Sequence, residues 1–489
     1  MNAKTTLKQT EIAIVGAGPA GVSAAITAAQ AGAKVTLIDE NANPGGQYFK
    51  QPTLDQPTQL PGNLGTNADK GAELISGLEH PGIELLTNTM VWGISEEDHH
   101  LKLYGRGESE SLKADRIIFA SGAYERLMPF QGWTLPGVMT AGGAQLMMKS
   151  QGILPGQKFL VAGTGPLLQL AAVQLLEAGG EVEAILELQS KKEFLLNATK
   201  LWGQWDKLGQ GLANQKKLKA SGVPIKYRHV ITRALGDREV EGAVSSKIDS
   251  RGRICPRSED VYELDTICIS YGFLPATELP TIAGCEQFYD PAFGTYATKT
   301  NSDLETTVEG LFAIGECRGI GGVSVALIEG QLAGLIAAQQ LGYDADQDET
   351  ALRKQHSKAR KSIENLGRLF SFDPGICDLV PDDVPICRCE GVTAGEVRES
   401  IRRGASQLNH LKPWHRTGMG RCQGRMCGPI LQKFIIHEAG LEPSTVEPFT
   451  ARMPIKPLPM KAVADYTTEG GETTWEDHVG GYGVARTEL

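Results

Sequence analysis

Glu11-Ile-Ala-Ile-Val15, Gly16-Ala-Gly18-Pro-Ala-Gly21, Val22-Ser-Ala-Ala-Ile-Thr-Ala-Ala-Gln-Ala31 and Lys34-Val-Thr-Leu-Ile38 follow one another almost without spacers. Read in order they are a strand, a glycine turn, an alanine-rich helix and a second strand, which is one βαβ unit. In such a turn the first glycine makes the sharp bend, the second lets a pyrophosphate approach the backbone, and the third lets helix lie on strand. The helix start, with Pro19 and Ala20 in its first turn, then offers free N–H groups and a partial positive charge to phosphates. Asp39 lies 18 residues beyond Gly21, where a carboxylate accepts both hydroxyls of an adenosine ribose, and Glu40 follows it.

Three further pieces belong with this unit. Gly45-Gly46-Gln47 comes shortly after the acid, and Ala120-Ser121-Gly122 closes the buried-strand run that starts at Arg116. Thr307 and Leu311-Phe-Ala-Ile-Gly315-Glu316 precede a helix running from about Gly322 to Leu341, with Val323 in its first turn. This set and order resemble the two-dinucleotide-binding-domain flavoproteins. The resemblance implies FAD in the first site, with Gly46, Gln47, Ala120, Ser121, Gly122, Gly315, Glu316, Gly322 and Val323 joining Gly16, Gly18, Pro19, Ala20, Gly21, Asp39 and Glu40 around it. The family usually carries Asp where this chain has Glu316, so contact to the ribitol chain is expected through a longer arm. Gly319-Ile-Gly-Gly322 is expected to aim N–H groups at the pyrimidine edge of the flavin, where charge gathers on reduction, and so to raise its potential.

The pattern repeats. Lys158-Phe-Leu-Val-Ala162, Gly163-Thr-Gly165-Pro-Leu-Leu168, a helix through Glu177 and the run Val182 to Leu186 form a second βαβ unit. Leu168 replaces the third glycine. Glu187 ends the returning strand at nearly the offset of a ribose contact, while Lys191 and Lys192 suit a 2′-phosphate. These residues leave NAD(P), another adenine nucleotide and a retained scaffold all open. Disulfide reductases of this fold need a close cysteine pair beside the flavin, and no cysteine precedes Cys255, so disulfide reduction is not expected.

With 489 residues the chain implies roughly three units of about 150 residues. The hydrophobic share of 41% and 58 glycines describe a globular protein rich in tight turns. The net charge of -10 offers no basic excess for phosphate neutralisation, so nucleic acid is not an expected partner. The apolar stretch Ile12 to Ile38 is broken by Gly16, Gly18, Pro19, Gly21 and Gly32 and reads as no membrane span; without a secretory signal pattern either, a cytoplasmic location is expected. Residues 90–122 alternate polar and apolar as an antiparallel ribbon does, a charged helical stretch occupies 350–370, and the Pro- and Asp-rich run from Asp373 to Pro385 reads as a linker.

Four of the nine cysteines cluster near the C-terminus: Cys387-Arg-Cys389, then 32 residues, then Cys422-Gln-Gly-Arg-Met-Cys427. Zinc ribbons prefer two residues between paired cysteines, so spacings of one and four fit a wider two-iron object better. Between the pairs Thr393-Ala-Gly-Glu396 reads as a capping box opening a helix through Arg402, and Gly418 and Gly420 keep the backbone open near Cys422. Cys255, Cys268, Cys285, Cys317 and Cys377 read as small core residues, and His410 and His415 as surface or packing residues. The string Arg416-Thr-Gly-Met-Gly-Arg-Cys422-Gln-Gly-Arg-Met-Cys427 resembles the small domain named after bacterioferritin-associated ferredoxin, which holds a 2Fe-2S cluster.

The expected architecture is therefore α/β: a Rossmann-like FAD domain (1–130 and 276–345) with an inserted NAD(P)-like domain (131–275), a helical linker (346–380), a small helical BFD-like domain (381–445) and a C-terminal tail (446–489). Over most of the chain this order resembles the A subunits of bacterial octopine and nopaline dehydrogenases and the B subunit of hydrogen cyanide synthase. Gly122-Ala-Tyr-Glu-Arg126 and Gly132-Trp-Thr-Leu-Pro-Gly-Val-Met-Thr-Ala-Gly-Gly143 carry that likeness. It implies the electron-transfer half of a heteromeric amine or amino-acid dehydrogenase acting on opines, hydroxyproline, proline or glycine. The partner it implies is a D-amino-acid-oxidase-like flavoprotein subunit, with a small ferredoxin-like subunit and peripheral contact with a respiratory chain as further family-level expectations. No catalytic residue is assigned. The competing expectations are a self-sufficient NAD(P)H-dependent FAD/iron-sulfur oxidoreductase and a non-catalytic scaffold whose cofactor sites are relics.

Overall fold

The computed structural model describes residues 6–53, 60, 68–95, 99–192, 205–344, 347–370 and 374–464. Strand β1 (Thr6–Val15), helix α1 (Pro19–Gln30) and strand β2 (Val35–Ile38) form the first βαβ unit, with β3 (Ile83–Leu86) parallel beyond β2. The alternating stretch is an antiparallel meander of β4 (Thr89–Ile94), β5 (Leu101–Gly105) and β6 (Glu108–Phe119). The sheet runs β3-β2-β1-β6-β5-β4, and the strand Leu311–Ala313 pairs with the far end of β6. Register aligns the strand ends: Val15 faces Ile38 on one side and Phe119 on the other, and Phe119 faces Ala313. The four strands thus end level, so Gly16, Asp39, Ala120 and the Gly315 turn emerge along one rim, where open parallel sheets bind ligands.

The Gly322–Gln340 helix packs across α1 with unusually close backbones. A Cβ on Gly330 would stand 2.3 Å from the Ala20 carbonyl oxygen, and one on Gly334 would stand 2.4 Å from that of Ala24. This helix is long and apolar enough to cross a membrane, yet 61% of its apolar window is buried inside the fold. Its one acid, Glu329, is completely buried. Glu329 Oε2 accepts from Gly315 N at 2.8 Å, and Oε1 accepts from Arg318 Nη1 at 2.9 Å and Arg360 Nε at 2.9 Å, with His356 Nε2 at 2.7 Å. Burial alone raises its pKa, but the Arg360, His356 and Arg318 charges and hydrogen bonds hold it down at about 2. The charged helix Glu349–Leu369 is thereby docked back onto the first unit.

The chain leaves that unit along Ala123–Glu125 and returns along the antiparallel strand Phe273–Pro275. Between them lies a parallel sheet in the order Ile225–Tyr227, Glu181–Glu187, Lys158–Gly163, Thr266–Ser270, Val138–Thr140. Three antiparallel strands, His229–Leu235, Gly242–Lys247 and Asp260–Glu263, flank it.

The C-terminal helices Ala394–Arg402, Leu408–His415 and Gly428–Ala439 pack on this insert, not apart from it. Trp133, Leu160 and Ile267 of the insert share one apolar core with Ile386, Leu411 and Phe434. Trp133 Nε1 donates to the Pro385 carbonyl at 2.8 Å, and the Arg388 guanidinium lies 5.3 Å from the Trp133 ring centre. The run expected as a linker differs accordingly. Ile376, Cys377, Val380 and Val384 are buried in that core, so its Pro and Asp residues mark a turn surface over anchored apolar side chains, while Asp373 lies outside the described residues. The expected tail also packs: Phe449 fills the space over Gly418 and Gly424, and Ile455 N donates to Trp92 O at 3.0 Å. Residues 465–489 lie outside the described part. The capping box forms as read, with Thr393 and Glu396 bonded reciprocally.

Gly334→Leu should destabilise the protein by about 3 kcal/mol, because the side chain must displace a backbone carbonyl. Gly209→Ala, with nothing within 4 Å, should leave stability unchanged or slightly improved. Thermal melting of the two variants checks the contrast.

Candidate functional site

The three glycines of the first turn do different steric work. Gly16 has φ +107°, and a Cβ there would lie 2.4 Å from the Ala120 carbonyl oxygen, while one on Gly21 would lie 1.9 Å from Gly16 O. Gly18 has φ −75°, open to any residue, and its Cβ would meet only Gly46 Cα at 3.9 Å. Gly16 and Gly21 are therefore required by the protein's own packing, and Gly18 is not. Asp39 is buried; it accepts from Ala17 N at 2.6 Å and from Asn41 N and Nδ2 at 2.8 Å, which fixes its carboxylate at the rim.

A continuous cavity of about 1490 Å³ opens here. It is lined by Gly16, Gly18, Pro19, Ala20, Asp39, Glu40, Gly46, Gln47, Ala120, Ser121, Gly122, Gly315, Glu316, Gly322 and Val323. Gly21 stands behind it. Glu316 differs from expectation in its partners: Oε1 accepts from Gly322 N at 2.7 Å and Oε2 from Gly321 N at 3.3 Å. The extra methylene lets it fold back onto the positive start of its own following helix, so it occupies N–H groups expected to face a flavin. Burial pushes its pKa up, opposed by those bonds.

The same cavity continues into the second unit, where Gly165 and Glu187 line it together with Lys191, Lys219 and Tyr227. Gly163 lies outside the lining; its φ is +140° and its Cβ would stand 1.7 Å from Ser270 O, repeating the Gly16 constraint. Gly165 has nothing within 4 Å. Leu168, in the third glycine's place, is fully buried in the insert's core. Glu187 accepts from Gly165 N at 3.3 Å and Gln189 N at 3.0 Å, and burial pushes its pKa up to about 7.

Residues not singled out from the sequence complete the lining. Ile363, Leu366 and Phe370 come from the charged helix, and Ile455 and Lys456 from the C-terminal segment, where Lys456 pairs with Glu40. Tyr124 and Glu125, within the Gly122–Arg126 motif, face the cavity with Glu278 and Lys149. Their periodicity carried no signal, since each is aimed by the strand crossing or by a distant element.

The four clustered cysteines come together from two loops. Cys387 and Cys427 are buried, Cys422 is half-buried and Cys389 is exposed. The Cys427 thiol stands against both Cys387 and Cys422, and Cys389 against Cys422. The Cys427 contact pulls the Cys387 and Cys422 thiols down, while the same contacts push Cys427 up and burial pushes Cys389 up, so the four thiols are coupled. A Cβ on Gly420 would stand 2.2 Å from Cys389 Cβ, which keeps that loop free of side chain beside the thiols. Cys268, Cys285, Cys317 and Cys377 are buried in the cores, and Cys255 is half-buried. His415 bonds Ser400 at 2.6 Å and His410 accepts from Ser406 N at 3.3 Å, both local packing contacts.

Residues 10–330 match the pyridine nucleotide-disulphide oxidoreductase family, and residues 385–437 match the BFD-like [2Fe-2S] binding domain. The chain belongs to that oxidoreductase family. It is an oxidoreductase, a flavoprotein with FAD and a 2Fe-2S cluster as its cofactors. The opine oxidase A subunit of Rhizobium meliloti (strain 1021) is 33% identical, across 92% of this chain and 98% of its own. Hydrogen cyanide synthase subunit HcnB of Pseudomonas aeruginosa is 30% identical, across 93% and 98%. The solved L-proline dehydrogenase of P. horikoshii shares the fold, with TM-score 0.69 at 21% identity over 94% of this chain and 80% of that one. The open space at Gly18 and the four free thiols gathered from two loops fit the two cofactors.

Gly18→Val should weaken FAD binding about 100-fold or more, some 3 kcal/mol, while leaving the apoprotein's melting temperature nearly unchanged; flavin content after desalting checks it. Glu187 binds a proton in the folded state up to about pH 7 that the unfolded chain releases near 4.5, so stability falls as pH rises through that window. Glu187→Gln should remove up to about 3 kcal/mol of that decline, measured as a flatter melting temperature from pH 5 to pH 8.

Proposed function

We propose that this chain is the electron-transfer subunit of a heteromeric amine or amino-acid dehydrogenase of the opine, hydroxyproline, proline or glycine class. FAD accepts reducing equivalents in pairs, and a 2Fe-2S cluster passes them on singly. The observation that carries the reading is the joining of both sites in one chain: the wall of the flavin cavity at Tyr124 and Glu278 is in direct contact with Arg425 of the Cys422–Cys427 loop. The residues of this chain bind and orient. Asp39 and the Gly16–Gly21 turn receive the adenosine diphosphate end, the Gly315 turn is held in place by Glu329, and Ile455 with Lys456 covers the rim beside Glu40. Gly163, Gly165 and Glu187 form the second nucleotide site, for NAD(P) or another adenine nucleotide.

No nucleophile is assigned to the C–H oxidation, which we place on a partner flavoprotein subunit of the D-amino-acid-oxidase type, in the cytoplasm. Relatives named as subunits support a partnered enzyme. A second reading, a self-sufficient NAD(P)H oxidoreductase, draws on the continuity of the cavity between the two glycine turns. Anaerobic addition of NADH to the isolated chain separates them: no flavin bleaching is expected, and rapid bleaching would select the second reading.

Cys422→Ser should abolish the cluster's absorbance and iron content while sparing bound FAD. Iron retained at wild-type stoichiometry would refute the ligand assignment, and co-purification with a second flavoprotein chain, followed by cofactor extraction, tests the heteromer.

A further inference from the structure

Arg425 lies between the two cysteines of the second loop, and its side chain is 13% exposed. Nε donates to Tyr124 Oη at 2.8 Å and lies 2.9 Å from Glu278 Oε1, while Tyr124 Oη donates to Glu278 Oε2 at 3.2 Å. Nη1 donates to Ile455 O at 2.9 Å and to Cys422 O at 3.4 Å. The guanidinium carbon sits 5.3 Å from the Tyr124 ring centre. Tyr124, Glu278 and Ile455 all line the flavin cavity. One side chain thus touches three walls of that cavity and the backbone of a cluster cysteine.

Its last donor is the informative one. Nη2 is fully buried and, among the described residues, has no hydrogen-bond partner. Leaving such a group unpaired costs about 1–3 kcal/mol, more for a charged one. Nothing about packing the loop requires the fork to end this way. An acceptor arriving with the cluster removes the cost, and sulfur bound to iron is such an acceptor.

We propose that Arg425 is the positioning residue that couples the two cofactors: its Nε and Nη1 hold the cysteine loop against Tyr124, and its Nη2 donates to a cluster sulfur. This rests on the proposed electron relay. Each transfer would move one electron from the reduced flavin to the oxidised cluster, and a one-electron acceptor outside this chain would reoxidise the cluster before the second. Tyr124 and Arg425 are neither oxidised nor reduced, and the flavin's proton leaves to solvent. The reduced cluster carries one more negative charge, so the guanidinium and its N–H raise the cluster's potential.

The experiment uses the full chain with both cofactors, comparing wild type with Arg425→Met and Arg425→Lys. Iron and FAD are counted first; the cluster potential is then read by EPR-monitored titration, and the rate of cluster reduction after anaerobic photoreduction of the flavin by stopped flow. Arg425→Met should shift the potential downward and slow cluster reduction about tenfold or more. Arg425→Lys keeps the charge but not the fork, so it should retain most of the potential and still slow the transfer. Unchanged potential and rate in Arg425→Met overturn the proposal; if that variant loses iron, an unchanged rate in Arg425→Lys does so. A wild-type cluster that reduced flavin never reaches would instead sink the relay reading itself.

Discussion

Two places where a backbone carbonyl occupies the space of a side chain govern this molecule. Ala120 O lies where a Cβ of Gly16 would be, and Ser270 O where a Cβ of Gly163 would be. In each, the strand carrying the turn and a parallel neighbour from later in the chain lie so close that only glycine passes between them. Each close approach brings the ends of neighbouring parallel strands level, and level strand ends make a rim. The nucleotide cavity hangs from those two rims, and it is continuous between the insert and the parent unit, which are joined by the strands Ala123–Glu125 and Phe273–Pro275.

Charge organises what the rims leave open. A carboxylate without solvent is tolerated at Glu329 only because two guanidinium groups, the His356 ring and a backbone N–H surround it. In return it ties the Gly315 turn, an apolar core helix and a charged surface helix to one point. At Glu187 burial dominates over the backbone and Thr164 hydrogen bonds, and its pKa rises instead. Two buried acids of the same kind thus hold opposite protonation tendencies, set by neighbours from distant parts of the chain.

The iron-sulfur domain is not an appendage. Its core is continuous with that of the insert through Trp133, Ile386 and Phe434, and its second cysteine loop is held to the flavin cavity by Arg425. Shared packing and a buried ionic contact hold the two units together without a covalent link.

Much of this was legible in the chain alone. The two glycine turns, the strands and helices that flank them, the acids at Asp39 and Glu187, the capping box at Thr393 and the four clustered cysteines are local patterns, and local sterics and hydrogen bonding make them readable. The apolar helix from Gly322 was readable as a helix, but not its close seat on α1, because Gly330 and Gly334 matter only against Ala20 and Ala24. Likewise the run from Asp373 to Pro385 looked like a linker by composition, while burial of Ile376 and Val380 depends on what lies opposite. Tyr124, Glu278, Arg425, Ile455 and Lys456 meet across as many as 416 residues of chain, from Glu40 to Lys456. Contacts between side chains that far apart have no periodicity or spacing to announce them; only the packing of the units against one another brings them together.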